Sequence, residues 1–324
     1  MTKFGLAAWL HRITQFNSAE DVEAYADRLA AAGYDIFIPC VKNTHGAADF
    51  LTDLADVNDE YPSCDPLKLL IDACRKRGIK LHAWFTVFSE GGKSRLLREH
   101  PEYAAVHDSP RNQPWICACR QEVQDYVFSL YEDVAGRYRP DGLHLDYIRT
   151  GGPCRCDACK KHMATLGVDI ETVREKDPAY ELWVDWRVSR VTDFVRRMRK
   201  LTKSEDMELS AAVFPSYPRS ISNQGQDWVA WAEQGLVDYL FPMGYRTSVR
   251  QAKAFATSHV ALVGGPVPIW SGIGKASSES TLTPAALGEQ IQAVIEAGAK
   301  GAVIFPENAM TDEDFEVIRK IRAK

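Results

Sequence analysis

The sequence predicts a (β/α)8 barrel, also called a TIM barrel, as a single domain over residues 1–324. Apolar segments with strand-like patterns recur eight times, and segments with helical spacing of apolar residues separate them. Such alternation is typical of parallel strands joined by helices. The length of 324 residues fits one barrel of roughly 250 residues with insertions better than it fits two domains. The segment 141–149 alternates Leu143 and Leu145 with His144 and Asp146, as a strand between a helix layer and a polar barrel interior would.

The predicted strands are distributed over the whole chain. They span residues 5–11, 34–41, 79–88, 141–149, 207–214, 237–246, 259–270 and 301–305. Capping signals precede several helices, such as Ser18 before the first and Thr311 before the last. The longest loops follow strands two, three and four, and the last of these contains a cysteine-rich insertion at residues 150–178. We expect these three loops to lie together over one side of the barrel mouth.

Composition and charge exclude several classes of protein. The net charge is −5 with both signs interspersed, and no basic block indicates a nucleic-acid partner. The longest apolar run, residues 260–270, contains two glycines and two prolines and cannot span a bilayer. The amino terminus shows no charged-then-apolar leader, which favours the cytoplasm, although a trimmed secreted chain would look the same. The sequence does not indicate an organic cofactor, and it gives no oligomeric state.

The predicted carboxyl ends of the strands carry residues that suit a sugar ligand. Aromatic rings stack on the C–H faces of sugars, and charged side chains bond their hydroxyl groups. The candidate substrate-binding residues are Trp9, His11, Lys42, His45, Trp84, Arg149, Tyr245 and Trp270. Glycoside hydrolysis typically needs two carboxyl groups. Asp146 is the first candidate, and Glu307 or Glu90 is the second. His82 and His144 lie in mid-strand and are interpreted as interior residues.

The clustered cysteines predict a metal site. Cys154, Cys156 and Cys159 follow a Cys-x-Cys-x2-Cys spacing, and Cys117 and Cys119 precede them in the loop after strand three. Four of these thiolates would suffice for a structural, tetrahedral zinc ion, and His162 could replace one sulfur. The alternative is a set of free cysteines, which the polar surroundings of the insertion disfavour. Cys40, Cys64 and Cys74 are interpreted as packing residues.

The segment Asp141 to Arg149 resembles the Asp-Gly-Ile-His-Leu-Asp-Tyr-Ile-Arg signature of the family-10-like glycosyl hydrolases, which are relatives of the α-amylase-type barrels. Residues 65–85, 122–126 and 237–245 are similar to further segments of that family. The resemblance implies a glycosidase in which Asp146 is the nucleophile or the general base. It does not supply the strand-five glutamate of true α-amylases, because residues 212–215 carry no carboxylate. The cysteine cluster is similar to the zinc site of family 42 β-galactosidases.

Three functions are weighed. The leading hypothesis is a glycoside hydrolase acting on an oligo- or polysaccharide. The missing strand-five glutamate favours a second hypothesis, a carbohydrate-binding barrel without catalysis. An amidohydrolase would need paired histidines on strand one, where only His11 is present. The essential acid of chitinase-like barrels would fall at Ile148, which excludes that chemistry.

Overall fold

A computed structural model describes residues 4–108, 115–265 and 267–323, and its centre is a barrel of parallel strands. The strands are β1 Gly5–Leu10, β2 Ile36–Lys42, β3 Lys80–Thr86, β4 Gly142–Asp146, β5 Glu208–Val213, β6 Tyr239–Pro242, β7 Trp270–Gly274 and β8 Gly301–Phe305. Their order is β6-β5-β4-β3-β2-β1-β8-β7. A single bridge between Leu240 and Ile269 joins β6 to the chain leading into β7 and nearly closes the barrel. The predicted fold class is therefore confirmed.

Helices surround the strands. They are α1 Ala19–Ala32, α2 Pro66–Lys76, α3 Arg95–Glu99, α4 Gln121–Tyr138, α5 Asp157–Thr165, α6 Pro178–Ser204, α7 Arg219–Gln224, α8 Trp228–Glu233, α9 Val249–Val263, α10 Pro284–Glu296 and α11 Asp312–Arg322. The predicted caps form: Ser18 Oγ accepts a hydrogen bond from the amide of Asp21, and Thr311 and Asp314 make a capping box. Within the described ranges, none of these helices is both long enough and apolar enough to cross a membrane.

The apolar side chains form two layers. The larger layer lies between the strands and the helices and includes Leu143 and Leu145 of β4. The smaller layer fills the barrel and includes Trp9, Trp84 and Phe241. This division reproduces the predicted alternation, in which the leucines face the helices and the intervening residues face inward. His82 and His144 are fully buried, as expected for interior positions.

The predicted seventh strand at residues 259–270 is wrong. Residues 259–263 are the last turns of α9, where Ala252, Ala256 and His259 form a buried helical stripe. The run appeared strand-like because it is apolar, but its period fits a helix that Ser248 caps. The true β7 contains Gly272, where a Cβ atom would lie 2.8 Å from the carbonyl oxygen of Pro242. Its two glycines gave it little strand propensity. Residue 266 of the predicted strand lies outside the described residues.

The segments inserted after β3 and β4 contain short helices and are not irregular throughout. The loop after β3 contains α3, and its residues 109–114 lie outside the described residues. The cysteine-rich insertion contains α5. At the end of β4, Tyr147 adopts a left-handed φ of 51°. Continued alternation would place Ile148 on the inward face with His144 and Asp146. Because Tyr147 ends the alternation, Ile148 packs instead in the outer layer.

Candidate active site and metal centre

Asp146 lies at the carboxyl end of β4, where the barrel opens, and is opposite Thr86 of β3. Its Oδ1 accepts a hydrogen bond of 2.6 Å from the amide of Tyr147 and lies 3.6 Å from Nη1 of Arg149. The indole N–H of Trp84 approaches the same carboxyl group without a hydrogen bond of ordinary geometry. Burial raises the pKa of Asp146, and these three neighbours oppose that rise by stabilising the carboxylate.

Aromatic rings surround this end of the barrel. His11 lies 4.9 Å from Phe305 and 5.2 Å from Trp84, between ring centroids. Tyr245 stacks on Phe305 with centroids 5.4 Å apart and meets Trp9 edge-on at 6.5 Å. The pKa of the Tyr245 hydroxyl is raised, first by burial and then by the charge of Asp146. The structure therefore brings four of the predicted substrate-binding residues that carry rings to one site near Asp146, and it adds Phe305, which the sequence did not indicate.

Arg149 is held among aromatic rings. Its guanidinium carbon lies 4.2 Å from the ring centroid of Tyr147, 4.8 Å from that of Phe214 and 5.5 Å from that of Trp115. Its Nη1 is buried and makes no hydrogen bond within the described residues, although it faces Asp146 at ion-pair distance. Such cation–π contacts fix the guanidinium in place beside Asp146.

A chain of polar side chains runs through the barrel below the mouth. Nε1 of Trp9 donates to Nε2 of His144 at 3.0 Å. Nδ1 of His144 and Nδ1 of His82 each lie 2.9 Å from Oγ of Ser210. Nε2 of His82 lies 3.1 Å from Glu208, at the amino end of β5. The interior histidines are thus bonded within the barrel and are not exposed to a substrate at the mouth.

Lys42 and Glu90 form a fully buried ion pair, with Nζ 2.6 Å from Oε2. Lys42 also donates to the carbonyl oxygens of Thr86 and Ser89. A Cβ atom at Gly46 would lie 2.0 Å from Oε1 of Glu90, so the backbone of the strand-two loop lies directly on this carboxylate. The structure therefore gives both predicted site residues a buried partner inside the protein.

Glu307 does not contact Asp146. It lies in the short 3-10 helix Glu307–Ala309 after β8, and its side chain points toward α1. Oε2 accepts a hydrogen bond from the hydroxyl of Tyr25, and Oε1 lies 3.9 Å from Nη2 of Arg28. Burial raises its pKa, and both neighbours oppose this rise. The sequence placed Glu307 at the correct end of the barrel but could not give the direction of its side chain.

Two further predicted residues lie away from Asp146. Trp270 is the first residue of β7 and pairs with Gly301, so it lies at the amino end of the strands, opposite the mouth. Its prediction depended on the incorrect seventh strand.

His45 is exposed in the loop after β2 and lines a cleft of about 390 Å³ with Asn58 and Lys93. A cleft of about 630 Å³ lies at the floor of the barrel and is lined by residues such as Lys80 and Glu208.

The structure adds an acidic residue that the sequence analysis did not consider. Asp49 follows β2, and its amide donates to the carbonyl oxygen of Val41 at 2.7 Å. Only 2% of the residue is exposed, and Oδ1 accepts a hydrogen bond of 2.8 Å from Asn58. Burial raises the pKa of Asp49 to about 6. Its position in a long polar loop gave no signal, because burial there depends on how the loop folds back onto β2.

Four cysteines form a compact buried cluster. The sulfur atoms of Cys117, Cys154, Cys156 and Cys159 all lie within 4.8 Å of one another. Tetrahedral zinc with Zn–S distances of about 2.3 Å requires sulfur atoms about 3.8 Å apart. The Cys117–Cys159 and Cys156–Cys159 sulfur distances are both 3.6 Å. This donor set fits a zinc ion.

Two predicted alternatives for the fourth ligand lie outside the cluster. Cys119 is buried nearby but does not belong to the set of four. His162 stacks on Trp186 with ring centroids 4.1 Å apart. The amide of Val106 donates to the sulfur of Cys154 at 3.3 Å, as backbone amides commonly do at thiolate sites. The cluster thus joins the loop after β3 to the insertion after β4.

Comparison with known proteins relates this barrel to glycosidases. Residues 13–274 match the family described as glycosyl hydrolase-like 10. The glycosyl hydrolase DigH of Escherichia coli K12 is 28% identical over 229 residues, which cover 60% of this chain and 49% of that protein. The glycosyl hydrolase YngK of Bacillus subtilis strain 168 is 22% identical over 222 residues, which cover 59% of this chain and 41% of that protein. The chain spans about half the length of these curated relatives.

Solved structures show the same fold. An α-L-fucosidase isoenzyme 2 from Paenibacillus thiaminolyticus superposes with a TM-score of 0.72 at 17% identity, covering 99% of this chain and 49% of that chain. A β-galactosidase from the psychrophilic Marinomonas ef1 gives a TM-score of 0.69 at 10% identity, covering 98% of this chain and 59% of that one. At these identities the likeness concerns the barrel and not the substrate.

Proposed function

Because the chain belongs to the glycosyl hydrolase-like 10 family, we propose that it is a glycosidase that cleaves an oligo- or polysaccharide, with Asp146 as nucleophile or general base. The observation that carries this proposal is the geometry of Asp146. A buried carboxylate at the mouth of the barrel, among aromatic rings and beside Arg149, lies where barrel enzymes carry their reactive groups and could serve as one of the two carboxyl groups of a glycosidase.

The substrate contacts follow from the same site. His11, Trp84 and Tyr245 offer ring faces and polar atoms around Asp146, and Arg149 holds a positive charge beside its carboxylate. Trp9 lies one layer deeper, where it supports Tyr245. The proposed site does not include five of the residues predicted from the sequence. Three of them bind partners elsewhere in the protein, namely Lys42, Glu90 and Glu307. Two lie in other parts of the structure, namely His45 and Trp270.

The test is to replace Asp146 with Asn and to measure sugar release from a panel of α- and β-linked oligosaccharides. Loss of the carboxylate should lower the hydrolysis rate by about 10²–10⁴-fold while the melting temperature stays nearly constant. The matched control is Asp185→Asn, which removes an exposed carboxylate on α6. Hydrolysis at the original rate by the Asp146 variant would remove Asp146 from the mechanism.

A second candidate is a carbohydrate-binding barrel without turnover. It is favoured by the fact that Glu90 pairs with Lys42 and Glu307 with Tyr25, so neither predicted second carboxyl group contacts Asp146. Calorimetry with the same oligosaccharides separates the two candidates. Binding without release of sugar from any member of the panel would favour the binding protein.

We also propose that Cys117, Cys154, Cys156 and Cys159 hold a structural Zn²⁺ ion. Four protein sulfur ligands would leave no open coordination position, so the ion would serve the fold and not the reaction. Chelation should accordingly lower stability, and any loss of activity should follow the loss of folded protein.

A further inference from the structure

Hydrolysis at Asp146 needs a second carboxyl group, and the described residues contain an unassigned one near the mouth. Asp49 is nearly fully buried, and its single hydrogen bond within the described residues is to Asn58. One amide donor is little compensation for a buried carboxylate, which usually accepts several hydrogen bonds or pairs with a cation. Lys42, the nearest buried cation along the chain, is occupied by Glu90. Asp49 is therefore poorly explained by a structural role alone.

The loop places Asp49 at the carboxyl end of β2, where its amide donates to the carbonyl oxygen of Val41. Its neighbours Ala48 and Phe50 both pack in the outer layer, between strands and helices. Cys40 belongs to the layer inside the barrel, and the pKa of its thiol is raised first by burial and then by the charges of Asp49 and Asp146. Both carboxyl groups therefore lie within electrostatic range of the same inward-facing residue of β2.

The surroundings of the two groups differ in a way that assigns separate roles. Asp146 has an amide hydrogen bond and the guanidinium of Arg149, both of which favour a carboxylate. The charged neighbours of Asp49 are Arg12 after β1 and Glu60 in the same loop, and these two are exposed and paired with each other. The contacts of Asp49 therefore oppose its protonation less than the contacts of Asp146 do.

We propose that Asp49 is the general acid of the glycosidase and that Asp146 is its general base. This inference rests on the proposed function. Asp146 takes a proton from a water molecule, and the water oxygen forms a bond to the anomeric carbon. The bond between that carbon and the glycosidic oxygen breaks, its electron pair moves to the oxygen, and Asp49 supplies the proton that the oxygen needs. Exchange with solvent then returns both carboxyl groups to their initial states.

The proposed roles of the two groups predict the stereochemistry of the reaction. A water molecule that Asp146 activates attacks the anomeric carbon directly, so no glycosyl-enzyme intermediate forms. A single displacement inverts the configuration at that carbon, whereas a retaining glycosidase uses two displacements. We therefore expect inversion at the anomeric carbon.

The experiment compares Asp49→Asn with the unaltered chain on two kinds of substrate. An unactivated oligosaccharide needs protonation of its leaving group, whereas the nitrophenyl glycoside of the same sugar scarcely does. The kcat of the variant on the oligosaccharide should fall by about 10²–10⁴-fold. The fall in kcat on the nitrophenyl glycoside should be smaller by a factor of at least about ten. Asp59→Asn, an exposed change in the same loop, is the control and should leave both rates unchanged.

Several outcomes would overturn the assignment. Equal losses on the two substrates, or no loss on either, would exclude Asp49 as the acid while leaving the Asp146 test intact. Absence of hydrolysis by the unaltered chain would remove the proposed function itself. Proton NMR of the first product formed by the unaltered chain gives a check that needs no variant: the inverted anomer is expected, and the retained anomer would exclude this pair of roles.

Discussion

Asp49 is a residue whose ionised form the fold opposes, and this makes stability depend on pH. Its pKa rises from an ordinary value of 3.8 to about 6 in the folded protein. The folded state then binds the proton more tightly than the unfolded chain does, so the favourable contribution is complete below pH 3.8 and is lost as the pH rises to about 6. A shift of two pKa units corresponds to about 3 kcal/mol.

Asp49→Asn should remove this dependence, because the amide can still accept a hydrogen bond from Asn58 and carries no charge. We expect the free energy of unfolding of the variant to exceed that of the unaltered chain by up to about 3 kcal/mol at pH 7, and to equal it near pH 4. Urea denaturation at both values measures the difference. A variant that is less stable at pH 7 would show that the Asp49 carboxylate is stabilised by its surroundings.

For single residues, the sequence predicted the position along a strand better than the direction of the side chain. Asp146 could be placed at the mouth because it is the last residue of β4, and a strand fixes both the face and the end at which its residues lie. Glu90 and Glu307 lie just beyond strand ends, where the local backbone no longer sets the direction of a side chain. Their partners, Lys42 and Tyr25, come from other elements, and only tertiary packing brings them together.

Among the elements, the cysteine-rich insertion depends on the proposed metal site. The sulfur atoms lie in a small cluster with Met163, Ile170 and Trp183, separate from the main core. A core of this size gains little from apolar burial alone, so a bound ion would supply much of its stability. The insertion is therefore expected to open independently of the barrel when the ion is lost.

Cys156→Ser should lower the zinc content from about one ion per chain toward zero, since a hydroxyl group is a poor replacement for a thiolate. It should also make residues 150–178 sensitive to limited proteolysis. Cys119→Ser is the matched control, because Cys119 lies two residues from Cys117 in the sequence but is not one of the four clustered sulfur ligands. Retention of a full zinc ion by the Cys156 variant would exclude the zinc site, whereas loss of zinc from both variants would show that Cys119 takes part.

In the whole molecule, Trp270 fills the floor where β1, β7 and β8 meet. Cβ atoms at Gly5 and Gly301 would each lie 2.3 Å from its indole ring. Gly301→Ala should therefore destabilise the protein by about 1–3 kcal/mol through overpacking. Gly136→Ala is the control: it lies in α4 with open space around it, and it should stabilise by about 0.5–1 kcal/mol. Calorimetric melting of both variants measures this, and equal behaviour would show that the floor can relax.

The overall architecture was predictable because eight repeats of strand and helix leave few alternatives. The eighth strand has the predicted bounds, and most others differ by one to three residues at an end. The seventh strand was not predictable from the local pattern, because its short segment Trp270–Gly274 contains two glycines. Glycine is needed there because neighbouring segments leave no room for a Cβ atom, which the local sequence does not show.

The hydrogen bond between Trp9 and His144 determines where one hydrogen atom of the barrel interior resides. An indole nitrogen can donate but cannot accept, so Nε2 of His144 must present its lone pair to Trp9. The remaining ring hydrogen of His144 is then on Nδ1 and points to Ser210. A second ring hydrogen would break the bond to Trp9, and burial also lowers the pKa of His144. His144 is therefore held as a single neutral tautomer, and proton exchange at the mouth leaves this ring unchanged.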